Sequence, residues 1–133
     1  GWPNVTYGKT YQRKTPSVFG TQFNSHHDFQ KPIFSWTPSI GISELGVISS
    51  TGNFSRYWNS NDLIVSSLKD KSLYRNRIEG EKIIYSERIY IGERLRSLIV
   101  TENVILVSAD NGNLIVIKAI ENLLTPGPFP PAE

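Results

Sequence analysis

The 133-residue sequence has no cysteine and no methionine. Lacking cysteine, it can form no disulfide and carry out no thiol chemistry, and its redox compartment is left open. Lacking methionine even at position 1, it is expected to follow a removed segment or to be a piece of something longer. Net charge is small: 14 Lys and Arg against 12 Asp and Glu give +2. That balance is too weak to point to nucleic acid, and no basic stripe stands out. No apolar run approaches the roughly 18 residues of a membrane-spanning helix, so neither nucleic acid nor membrane is an expected partner. A helical hydrophobic period is missing too. At this length the chain is at most one domain, with enough residues for a real core.

What remains is β-structure. Residues 1–30 are a long polar and aromatic loop (Trp2, Tyr7, Tyr11, Phe19, Phe23) without a trusted period, and loops this long tend to be functional or held down by something else. His26-His27-Asp28 within it invites a metal, but adjacent histidines without a separated third ligand make an ordinary loop the better expectation. From residue 31 to 118 short apolar runs alternate with turns. Ile33-Phe34-Ser35-Trp36 is expected as a short strand. The run from Ile40 to Ser49, interrupted by Gly41 and Gly46, predicts a bulged strand. Leu63-Ile64-Val65 heads the next strand. Ser72–Ile78 and Lys82–Ile89 are joined by Glu79-Gly80-Glu81. Leu95–Val100, Val104–Ser108 and Leu114–Ile117 complete the set, the last two joined by Asp110-Asn111-Gly112. Residues 119–133 contain a short possible helical turn and a Pro-rich tail with little to bury. The fold class is all-β. The strands group into antiparallel four-stranded meanders, about two blades of a β-propeller, the second lacking its outer strand.

The stretch with the most chemistry is Gly92-Glu93-Arg94-Leu95-Arg96. Alternate residues of a strand share a face, so Arg94 and Arg96 point one way and Leu95 the other. Two guanidiniums side by side repel unless an anion lies between them, and each fork matches a carboxylate. Lys69, at the end of the Leu63 strand, would join them in a cluster suited to a compact polyanion. The alternative is a solvated rim paired with Glu93 or Glu102.

Gly1-Trp2-Pro3, Tyr7-Gly8 and Pro32-Ile33-Phe34-Ser35-Trp36-Thr37-Pro38-Ser39-Ile40 resemble the later part of the soluble quinoprotein sugar dehydrogenases. The same order continues through Phe54, Trp58, Asp62–Lys69, Ser72–Arg75, Glu79-Gly80, Gly92–Arg96 and Ser108–Gly112. These are the glucose/sorbosone or aldose sugar dehydrogenases, six-bladed propellers that use pyrroloquinoline quinone (PQQ), and the likeness runs to about residue 118. It implies that Lys69, Arg94 and Arg96 contact PQQ, with Ser39 and Trp36 as lesser cofactor contacts that have ordinary turn and core roles as alternatives. It also implies a periplasmic or extracellular setting; Asn4-Val5-Thr6 and Asn53-Phe54-Ser55 are only nominal glycosylation acceptors.

The departures matter as much. Gly41-Ile42-Ser43-Glu44 stands where the family has Ala-Pro-Ser-Gly, and Ser97 where an Asp follows the second arginine. The family's general-base histidine and calcium segment precede the point matching Gly1, so no catalytic residue and no calcium ligand is assigned. Sugar oxidation is therefore expected only when the rest of the propeller completes the chain. The other expectations are a self-associating fragment, with three two-bladed chains closing a ring, or a non-catalytic propeller-like module. A stable monomer in solution would exclude the ring.

Overall fold

The computed structural model describes residues 29–120. The aromatic stretch with His26-His27-Asp28 and Asn4, and the Pro-rich tail beyond residue 120, lie outside the described residues. Seven strands follow one another: β1 (Ile42–Val47), β2 (Leu63–Ser67), β3 (Ser72–Glu79), β4 (Lys82–Tyr90), β5 (Leu95–Val100), β6 (Val104–Ala109) and β7 (Leu114–Lys118). The first four form an antiparallel sheet in the order β1-β2-β3-β4, and the last three form another in the order β5-β6-β7. These are consecutive blade-like meanders. The expected bulge is in β1, where the register shifts between Ile42 and Glu44. Gly80 and Gly112 close their hairpins at positive φ, as turns of this kind require.

The main core lies between the sheets. Ile48, Ile64 and Leu73 from the first meet Leu95, Leu98, Ile105 and Val107 from the second, and Phe54 joins them. Burying each such side chain contributes about 1.5–3 kcal/mol before conformational entropy is counted. The sheets approach closely because Gly46 has no side chain: a Cβ there would lie 2.4 Å from Val100 Cγ2. β2 is buried on both faces, which explains its unbroken apolar run. Its serines are satisfied locally, Ser66 by Ser43 at 2.8 Å and Ser67 by the Ile40 carbonyl at 2.9 Å.

Ile33–Trp36 is not a strand, contrary to the expectation from its apolar pattern. Its Trp36 lies on the far face of the first sheet. Trp36 packs against Ile40, Val65 and Tyr74 and meets the rings of Tyr74 and Phe34 edge-on at 5.5 and 4.7 Å. Aromatic and β-branched residues favour a pleated, half-buried surface, and here they lie on such a surface instead of joining it. A 3-10 turn, Phe54–Arg56, also escaped the sequence pattern because three residues carry no period.

Two polar clasps hold the connections. Arg75, nearly buried in β3, donates from Nη1 to Asp62 Oδ2 at 2.8 Å and from Nε to Glu87 Oε2 at 2.7 Å. Its guanidinium lies 5.7 Å from the Trp58 ring centre and 5.4 Å from that of Tyr85. Burial pulls the Arg75 pKa down, but the hydrogen bonds to Glu87 and Asp62 outweigh it and the net shift is upward. In the second clasp, the β1–β2 connection grips the β5–β6 turn: Thr51 Oγ1 donates to Glu102 Oε1 at 2.6 Å and the Asn53 amide to Asn103 Oδ1 at 3.0 Å.

Candidate functional site

The antiparallel order brings three connections to one end of the sheets: the β2–β3 turn, the β4–β5 connection and the β6–β7 turn. The first two are joined where the Lys71 carbonyl accepts from the amides of Ile91 and Gly92, both at 3.0 Å. The last two are joined where the Asp110 amide donates to the Arg94 carbonyl at 2.7 Å. Ser39 and Gly41 enter at the same end, the Lys69 amide donating to the Ile40 carbonyl at 3.0 Å.

Leu95 is fully buried while Arg94 and Arg96 are exposed, so the expected alternation is present. Both guanidiniums converge on one carboxylate. Arg94 Nε donates to Asp110 Oδ2 at 3.1 Å and Arg96 Nε to Asp110 Oδ1 at 2.6 Å. The expected rim partners were Glu93 and Glu102, and neither is used. Glu93 Oε1 accepts from Asn113 Nδ2 at 2.9 Å, and Glu102 accepts from Thr51. Cross-strand register decides the difference: Leu95 sits opposite Ala109, which places the next residue, Asp110, beside the arginines. Arg96 first and Arg94 second hold the Asp110 carboxyl below its usual range.

Lys69 stands exposed in the β2–β3 turn with no ion pair among the described residues. Ser39 Oγ accepts from the Gly41 amide at 3.3 Å, the geometry of a turn hydroxyl. Trp36 lies in the packing layer described above and is half-buried. The structure thus brings Arg94 and Arg96 together and places Lys69 and Ser39 at the same end, with Trp36 in that packing layer. Sequence reasoning missed Asp110 and Lys71. Lys71 lines a 320 Å³ cleft with Gly92, Glu93, Arg94, Asp110 and Asn111. The signal for Asp110 was present in Asp110-Asn111-Gly112, which was read only as a turn. Among the described residues no group of three or more His, Asp or Glu side chains could hold a metal ion.

Beside Lys69 lies a second carboxylate knot. Asp70 accepts from Arg88 Nε at 2.7 Å and from the Tyr74 hydroxyl at 2.5 Å. Arg88 first, then Tyr74, pull the Asp70 carboxyl from 3.8 down to about 2. Burial first, then Asp70, push the Tyr74 phenol up. The folded Asp70 value lies below the unfolded one, so this contribution to stability is complete above about pH 3.8 and disappears as pH falls through about 2. In Arg88→Ala the Asp70 midpoint, followed by carbon-detected NMR titration, is expected to rise towards 3.8, with Tyr74 still holding it below that value. A midpoint still near 2 would show that Arg88 is not its main partner.

A family model, Glucose / Sorbosone dehydrogenase, matches residues 1–117. The chain belongs to the glucose/sorbosone dehydrogenase family. A crystal structure of a glucose dehydrogenase is similar at a TM-score of 0.72 and 24% identity, covering 90% of this chain and 34% of that one. A second glucose dehydrogenase gives a TM-score of 0.59 and 24% identity, covering 70% of this chain and 30% of that one. No curated protein matches. At this identity the two structures carry the fold, which this family member shares as all-β antiparallel meanders. The chain spans about a third of their length.

Proposed function

We propose that this chain is part of a PQQ-dependent sugar dehydrogenase propeller and supplies cationic residues of its cofactor wall. The observation that carries the proposal is the pairing of Arg94 and Arg96 on one carboxylate. Each uses only Nε on Asp110, so their terminal nitrogens have no partner among the described residues. Asp110 occupies the Nε side of both forks and leaves their terminal nitrogens open to an external carboxylate. Arg94, Arg96 and Lys69 would hold the carboxylates of PQQ, with Ser39 and Trp36 as lesser contacts. Bound PQQ would supply the two-electron oxidising chemistry. This chain's residues would bind and orient it, and their positive charge would stabilise negative charge developing at the ligand.

No residue here is assigned as the base that removes the sugar hydroxyl proton, and no calcium ligand is assigned. Oxidation of a sugar, in the periplasm or outside the cell, is therefore proposed for the completed propeller and not for this chain alone. The second reading is a self-associating or non-catalytic propeller fragment. It is favoured by β7, a sheet edge among the described residues, and by the exposed Ile99, Leu114 and Val116 of the second sheet.

The test is a calorimetric titration of the chain with PQQ in the presence of calcium. Arg94→Ala/Arg96→Ala is expected to weaken binding about a hundredfold, since hydrogen bonds to charged groups contribute about 1.5–3 kcal/mol each. Unchanged affinity would remove the arginines from the cofactor wall. If the wild-type chain does not bind, the chain is a structural part whose site needs further blades.

A further inference from the structure

Arg94, just before β5, and Arg96, within it, lie two residues apart on one side of the chain, and long charged side chains in that position lower their repulsion by splaying into water. They do not splay. Their Nε atoms are drawn to the two oxygens of a single side chain, Asp110, at 3.1 and 2.6 Å. Asp110 is itself fixed on both flanks. Its amide donates to the Arg94 carbonyl at 2.7 Å, and the Ala109 amide donates to the Asn113 carbonyl at 2.9 Å. Across the turn, Asn113 Nδ2 donates to Glu93 Oε1 at 2.9 Å, tying the far side to the residue preceding Arg94. The β6–β7 turn is therefore bound to the strand entry that carries the arginines.

We propose that Asp110 is a positioning residue that makes Arg94 and Arg96 one preorganised receptor for an organic polycarboxylate, with Glu93 and Asn113 fixing the turn that presents it. The inference rests on the cofactor reading of the same arginines. Asp110 takes the Nε donors and leaves the terminal nitrogens to the ligand. Those are the donors that a carboxylate engages in an end-on fork.

The sign of one substitution tests this. Asp110→Asn removes a negative charge beside two cations, raising the local charge from +1 to +2. If charge alone governs the site, an anion binds the variant more tightly. If Asp110 positions the arginines, two rotamer-rich side chains must be ordered on binding, and affinity falls about tenfold. Asn is a favoured turn residue, so the hairpin should survive the change.

The experiment titrates PQQ into wild type, Asp110→Asn and Arg94→Ala/Arg96→Ala at one ionic strength, and follows the arginine Hε exchange of the first two by NMR. Weaker binding by Asp110→Asn, with both Hε atoms losing protection together, is the expected result. Equal or tighter binding would overturn the proposal when the double variant has lost affinity. If the double variant binds like wild type, the cofactor reading falls, and Asp110 is judged on exchange alone. Protection lost from both arginines in Asp110→Asn would then show that Asp110 holds the pair although the pair is no polycarboxylate receptor, and protection unchanged would end the positioning as well.

Discussion

Replacing Arg75 by Met should lower folding stability by about 3–5 kcal/mol, the range found when one partner of a buried ion pair is removed. Met keeps most of the apolar stem against Trp58 and Tyr85, so the loss is mainly electrostatic. Asp62 is only 1% exposed, and without Arg75 its nearest cation is Arg77, whose Nε is 3.9 Å away, too far for a good hydrogen bond. The Asn59 amide, at 3.2 Å from Oδ2, remains its one backbone donor there. Adding Asp62→Asn to the Met variant should return much of the loss, because the stranded charge is gone. Urea unfolding of the two single variants and the double variant measures the coupling. A Met variant within about 1 kcal/mol of wild type would mean that this pair does not anchor the first sheet.

Gly52→Ala is the second large effect, at about 3 kcal/mol. Gly52 has φ +87°, where a Cβ costs about 1–2 kcal/mol. The new Cβ would also lie 2.3 Å from the Glu102 carbonyl oxygen and 2.7 Å from its carbon. Those are backbone atoms of the turn that the β1–β2 connection grips, so no side chain can swing aside, and overpacking adds about 1–3 kcal/mol. Gly80→Ala is the matched control. Its φ is +58°, but nothing lies within 4 Å of a Cβ there, so only the backbone term of about 1 kcal/mol applies. Equal shifts in urea midpoint for the two variants would show that the Gly52 contact gives way without cost.

The strands were legible because their signals are local. β-branched runs and the turns at Gly80 and Gly112 delimit β3, β4, β6 and β7, and Gly41 and Gly46 flag the irregular β1. Ile33–Trp36 was misread because its residue types suit a sheet surface whether they pair with strands or lie across them. At the site, two-residue periodicity correctly put Arg94 and Arg96 on one face with Leu95 buried behind. Their partner was not legible. Glu93 and Glu102 are nearer in sequence, whereas Asp110 becomes a neighbour only once β5 and β6 are aligned in register. Lys71 was passed over for the same reason: its place at the cleft depends on the hold of its carbonyl on Ile91 and Gly92, a contact across about twenty residues of chain.

The main core belongs to neither meander alone. Ile64 and Leu73 share their core with Leu95, Leu98, Ile105 and Val107 of the following meander, and the absent side chain of Gly46 makes room for Val100 on β5. The pair therefore behaves as one cooperative unit, in which opening β5 uncovers β1 and β2. Excising or exchanging a single meander would leave the other with a wet apolar face. The element that stands or falls as a whole is the seam between neighbours and not the single sheet.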